Sequence, residues 1–143
     1  MKSIRQFLTS AHQSLVTVSP DDTVYDALVL LAQHNLSAVL VMQGDKLAGI
    51  FTERDYARKV VLLNKRSREM PVRDAMTQRP VIVNPDMSFD DCMTLMTSNK
   101  VRNLPVTTAD NKVLGIISIG DVMKVVMEEQ HFLIKELQRY LAS

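Results

Sequence analysis

Gly49-Ile-Phe-Thr-Glu-Arg-Asp55 returns further along the chain as Gly115-Ile-Ile-Ser-Ile-Gly-Asp121. Each copy reads glycine, two apolar residues, a hydroxyl residue, two variable positions and aspartate. The apolar pair marks the end of a buried strand. Hydroxyl-x-x-Asp marks a helix start, because the hydroxyl oxygen accepts from an amide that the first turn leaves unbonded. A strand that runs into a helix N-terminus presents free amides at the positive end of the helix dipole, a natural cradle for an anion or a nucleotide.

Outward from the first copy, the chain resolves into one unit. Residues 3–8 suit a short helix, and Val16-Thr-Val-Ser-Pro-Asp21 reads as a strand ending in a turn. Thr23 to His34 carries Val24, Ala27, Leu28, Leu31 and Ala32 on one helix face, with Asn35 suited to the C-terminal end. Ala38-Val-Leu-Val-Met42 is the continuous apolar run of a buried strand. Gln43–Lys46 makes a hairpin turn, Leu47–Phe51 returns as a strand, and Glu53–Leu63 is helical.

The pattern then restarts. Val81–Asp86 copies Val16–Asp21 at a shift of 65 residues, Ser88–Asn99 copies the first helix, and Val101-Arg-Asn-Leu-Pro-Val106 copies Leu36–Val41. One extra residue in the turn at 108–112 makes the shift 66 at Gly115 and Asp121. The fold class is therefore α/β, with tandem β-α-β-β-α repeats sharing one core and a C-terminal helical extension. The expected boundaries are an N-terminal segment at 1–13, a first repeat at 14–63 and a linker at 64–78. A second repeat follows at 79–127, then the extension at 128–143. The basic stretch Lys65–Arg79 reads as a solvated linker in which Pro71 starts a short helix toward Met76. After Asp121, Val122, Val125, Val126, Phe132, Leu133, Leu137 and Leu141 keep an apolar stripe to the end. One repeat does not need that much, so the stripe is expected to pack across the module or against a second chain.

Bulk properties narrow the function. The chain has 143 residues, 46% hydrophobic and 23% charged, as a globular domain should. A net charge of +1 argues against a dedicated nucleic-acid binder. The single Cys92 excludes an internal disulfide and a cysteine-cluster metal site, and its place beside Asp91 suggests a passive thiol. His12, His34 and His131 lack ligand spacing, so no metal is expected. No run approaches the ~20 apolar residues of a membrane span, and the N-terminus lacks a secretory apolar region, so a cytoplasmic setting is expected. No nucleophile–base pair, P-loop or G-x-G-x-x-G turn is present, so no catalytic residue is assigned.

The two Gly-to-Asp stretches, with Leu104-Pro105 in the second copy, resemble a pair of CBS domains, a Bateman module. The resemblance covers about residues 14–62 and 79–127. It extends to small stand-alone CBS-pair proteins through Thr52–Val61, Val101–Val106, Ile117–Asp121 and Glu128–Tyr140. It implies a non-catalytic regulatory module that binds AMP, ADP, ATP or NAD between its repeats, with S-adenosylmethionine ranking lower. It also implies a homodimer that signals to some regulated protein. A ligand-free dimerisation and interaction module is the alternative. By the resemblance, Val16, Thr17 and Val18 with Ala38 and Val39 line one adenine slot. Val81, Ile82 and Val83 with Asn103, Leu104 and Pro105 line the other.

Chemistry assigns the remaining positions. A carboxylate can accept from both vicinal hydroxyls of a ribose, which suits Asp55 and Asp121. A phosphate needs a hydroxyl, free amides and a cation. Thr52 or Ser118 supplies the hydroxyl, while Arg54, Arg58 and Lys59 lie in the first turns and Arg102 reaches from the other repeat. The two sites differ, since the second copy has Ile119 and Gly120 where the first has Glu53 and Arg54. The same spacing at Thr23-x-x-Asp26 and Ser88-x-x-Asp91 shows that hydroxyl-x-x-Asp also serves here as plain helix capping.

Overall fold

Among the described residues, five α-helices each begin on a hydroxyl residue. A computed structural model describes residues 2–10 and 15–143. His12 and the expected boundary between residues 13 and 14 lie outside that range. In α1 (Ile4–Ser10), Ser3 Oγ accepts from the Gln6 amide at 3.1 Å and Gln6 Oε1 accepts from the Ser3 amide at 3.0 Å. This reciprocal pair satisfies two of the amides a helix start leaves unbonded. Thr23 caps α2 (Val24–His34), Thr52 caps α3 (Glu53–Tyr56), Ser88 caps α4 (Phe89–Asn99) and Ser118 caps α5 (Ile119–Ala142). The C-caps of α2 and α4, Asn35 and Lys100, are left-handed with φ of 53° and 55°. The helix expected over Glu53–Leu63 changes character part-way. After Tyr56 it widens into a π-helical turn, Ala57–Val61, closed by bonds from Leu62 to Ala57 and from Lys65 to Val60.

The first sheet runs β1 (Thr17–Val18), β2 (Ala38–Gln43), β3 (Lys46–Thr52), β4 (Thr77–Gln78). β1 pairs in parallel with β2, and the other neighbours are antiparallel. In the second repeat β5 (Asn103–Thr107) pairs with β6 (Val113–Ser118), and Val83 bridges Val106 in parallel just as Val18 pairs with Val41. The register shifts at Val41/Met42 and at Val106/Thr107, so even the irregularity is repeated.

The expected single core resolves into three clusters. One is the first repeat's own, around Val18, Leu31, Val39, Phe51 and Val60. Another is the second repeat's, around Val83, Phe89, Leu104, Ile117 and Val122. A small third cluster, with Leu40, Ile50 and Val113 buried in it, joins the repeats. Each main core is finished by the segment that precedes the other repeat. Ile4, Phe7 and Leu8 of α1 pack in the second repeat, with Phe7 edge-on to Phe89 at 5.5 Å between ring centres. Met70, Val72, Ala75 and Met76 pack in the first. The solvated linker thus extends only to Glu69. From Met70 the chain turns inward, through a short 3₁₀ turn at Val72–Asp74 after Pro71, and ends as β4. Gly49 makes this possible, because a Cβ there would collide with the Thr77 carbonyl oxygen.

The long α5 behaves differently along its length. Val122 and Val125 are buried, whereas Phe132, Leu133, Leu137 and Leu141 are exposed. Of the two packing options expected for the stripe, folding back across the module is not the one adopted. No described helix is long and apolar enough to cross a membrane.

Candidate functional site

Both Gly-to-Asp stretches place a strand end, a hydroxyl cap and an aspartate at the junction of the two repeats. The first amide of each helix is tied back to its own repeat: Glu53 N–H donates to Ser37 C=O at 3.1 Å, and Ile119 N–H donates to Arg102 C=O at 2.8 Å. In both, the hydroxyl accepts from the aspartate amide and the aspartate accepts from the cap amide.

The two carboxylates then diverge. Asp55 is 6% exposed. Its Oδ2 accepts from Thr52 N–H and Thr52 Oγ1 at 3.0 Å, its Oδ1 accepts from Thr77 Oγ1 at 2.9 Å, and Lys59 Nζ lies 3.2 Å away. Lys59 also donates to the Met76 carbonyl at 3.1 Å. This network fastens the chain entering β4 to the first repeat, so Asp55 and Lys59 act as structural ties here. Asp121 is half-buried, and among the described residues it makes only the capping pair, accepting from Ser118 N–H at 2.9 Å.

Asp121 lies on the wall of a cleft of about 360 Å³ between the repeats. Residues 35–38 and Glu53 come from the first repeat, while Asn103, Ile116, Ser118 and Asp121 come from the second. Ser37 Oγ donates to Asn103 Oδ1 at 3.3 Å across the junction. Among the described residues the wall holds two carboxylates and no lysine or arginine.

The expected site residues are therefore sorted. Ser118, Asp121, Ala38 and Asn103 meet at the cleft. Val18, Val39, Val83 and Leu104 face the hydrophobic cores, and Pro105 is buried in β5. Val16 and Val81 are half-buried at core edges, and Thr17 and Ile82 are exposed. Ile82 and Val83 border a separate open groove of about 680 Å³ beside Arg5, Pro85 and Thr107. Arg58 and Arg102 are exposed, and Arg54 Nη1 donates to the Lys100 carbonyl at 2.6 Å. Sequence reasoning missed Asn35, Leu36, Ser37, Glu53 and Ile116. The repeat held the signal for the first three: shifting Lys100–Arg102 back by 65 residues lands on Asn35–Ser37.

The family model of the CBS domain matches this chain twice, over residues 4–62 and 72–128. The chain belongs to the CBS-domain family. Both matched ranges begin on the exchanged segments, ahead of the expected starts at 14 and 79. CBS domain-containing protein CBSX3, mitochondrial, of Arabidopsis thaliana is 39% identical over 137 residues, spanning 92% of this chain and 66% of that protein. A solved CBS-domain protein of Burkholderia ambifaria superposes with a TM-score of 0.84 at 43% identity, covering 90% of this chain and 96% of that one. CBSX2, solved in complex with AMP, superposes with a TM-score of 0.70 at 28% identity, covering 82% and 91%.

Proposed function

We propose that this CBS pair is a non-catalytic regulatory module that takes an adenosine-containing ligand in the cleft at Ser118 and Asp121. The observation that carries the reading is an open cleft, of a volume within the ~300–1,000 Å³ of small-molecule sites, at a capped helix start. Asp121 Oδ1 accepts from the ribose hydroxyls, each charge-assisted bond contributing about 1.5–3 kcal/mol. The Gly120 amide, at the positive end of the α5 dipole, faces a phosphate. Leu36, Ala38 and Ile116 offer the apolar contact an adenine needs. The AMP complex of CBSX2 supports the ligand class.

Charge ranks the ligands. Glu53 and Asp121 repel a polyphosphate and no cation on the wall offsets them. AMP, NAD and the cationic S-adenosylmethionine therefore rank ahead of ADP and ATP, which carry more negative charge. Ligand in the cleft signals by favouring one arrangement of the repeats, to the extent of its differential affinity for the two. The test is thermal melting with each of the five compounds at ~1 mM, since a ligand at 100 times its Kd adds about 2.7 kcal/mol. Stabilisation by AMP above ATP is expected. A flat panel from protein that releases no adenine on denaturation would overturn the reading.

We infer that a second copy of the chain covers the exposed apolar surface, and a ligand-free pairing module is the second reading. Val61 and Met127, counterparts at the 66-residue shift, are both exposed, and Leu62, Leu63, Phe132, Leu133 and Leu137 continue the apolar surface on either side. Counterpart patches on one molecule suit a self-complementary pairing. Sedimentation of a dimer that Leu133→Asp converts to monomer supports pairing; a wild-type monomer contradicts it.

A further inference from the structure

The repeat relates the cleft at Ser118 and Asp121 to a second junction, at Thr52 and Asp55, and the two junctions are furnished differently. At the 65- and 66-residue shifts the counterpart of Arg54 is Gly120, and the counterpart of Lys100 is Asn35. Arg54 reaches from the start of α3, beside Thr52 and Asp55, to the Lys100 carbonyl at the end of α4. It thereby bridges the two repeats at the junction that the repeat relates to the cleft of Ser118 and Asp121. A helix C-terminus is where a cation is favoured, and the bond of 2.6 Å is short as charge-assisted bonds are. On the other side Gly120 has nothing to send toward Asn35, and Asn35 lies on the wall of the open cleft.

Sterics do not demand that glycine. Gly120 is exposed, its backbone is not left-handed, and a Cβ would meet only Ser118 Oγ at 3.6 Å. Its near neighbours in sequence, Ser118 and Asp121, both lie on the wall of the open cleft, and Gly120 adds no side chain beside them. The carboxylates agree with this asymmetry. Asp55 is engaged by Thr52, Thr77 and Lys59, whereas Asp121 keeps one oxygen without a partner among the described residues.

We propose that Arg54 is a built-in latch that closes the first cleft, and that Gly120 is the aperture that keeps the second open, so each chain takes one ligand. This rests on the nucleotide reading above and sharpens it. Calorimetric titration with AMP tests it on wild type, Gly120→Arg, Arg54→Ala and the double variant. Wild type should bind one AMP per chain, Gly120→Arg none, Arg54→Ala a second and weaker equivalent, and the double variant only that weaker one. Two sites in wild type, full binding by Gly120→Arg, or no second site in Arg54→Ala would overturn the latch and leave the nucleotide reading intact. If no protein binds AMP, the nucleotide reading fails and hydrogen exchange decides the latch. Arg54→Ala must then speed exchange at the Lys100 and Val101 amides and leave Asn35 and Leu36 unchanged. Equal rates at Lys100 and Val101 in both proteins would overturn it.

Discussion

Thr52–Asp55 and Ser118–Asp121 start from one pattern and end in different chemistry. Both aspartates cap a helix. Asp55 is then drawn into a closed network with Thr77 and Lys59, while Asp121 is left on the wall of a cleft. The motif did not decide this; its neighbours did. Lys59 has Val125 as its counterpart, and Arg54 has Gly120. Two copies of one motif can thus be given different surroundings by changing the residues around a kept aspartate.

The largest break in the comparison should come from Asp55→Ala. It strips acceptors from the Thr52 amide and the Thr77 hydroxyl, at a cost of about 3 kcal/mol by urea unfolding, whereas Asp121→Ala should cost only about 1 kcal/mol as a lost cap. Equal losses would remove the distinction. Next comes Gly49→Ala, at about 2 kcal/mol, because the Thr77 carbonyl is backbone and must shift. Gly115→Ala should be milder, since the added Cβ meets only the flexible end of Leu8 at 3.0 Å. A reversed order in the melting temperatures would show that the two exchanged segments are not docked as described.

Among fully buried residues the second core holds a titratable group, Cys92, that the first lacks, and here the effect vanishes at neutral pH. Ala27 and Cys92 are counterparts at the 65-residue shift. Burial, with the nearby Asp91 charge adding to it, pushes the Cys92 thiol up from 9.0 to about 11. The unfolded thiol ionises first, so this contribution is constant below pH 9.0 and stability falls as pH rises from 9.0 to about 11. The slope is about 1.4 kcal/mol per pH unit in that window, and Cys92→Ala should remove it from urea unfolding midpoints. An identical alkaline slope in both proteins would place the thiol outside the core.

Much of this was legible in the residues. Hydroxyl caps at Thr23, Thr52, Ser88 and Ser118, and the apolar run Ala38–Met42, fixed the repeat and most element boundaries, because capping and periodicity are local. The docking of Ile4 into the second repeat and of Val72 into the first was not legible. Both are long-range contacts, and the short match of Ile4-Arg5 to Val72-Arg73 does not say which core each segment joins. The widening of the helix at Ala57–Val61 was hidden for a related reason, since nothing in Ala-Arg-Lys-Val-Val distinguishes π from α hydrogen bonding. At the site, sequence placed both aspartates at helix starts, offered both for a ribose and favoured Asp55 for the cations beside it. The ranking depends on Thr77 arriving from the linker and on Arg54 finding a carbonyl in the other repeat.

The most direct measurement is the affinity for AMP of wild type, Asp121→Ala and Asp55→Ala, titrated at a temperature where all three are folded. Asp121→Ala should weaken binding at least ~10-fold, the loss of one charge-assisted bond, while Asp55→Ala should stay within ~3-fold of wild type. Affinity untouched by Asp121→Ala, or lost instead in folded Asp55→Ala, would contradict the assignment of the ligand to the second cleft.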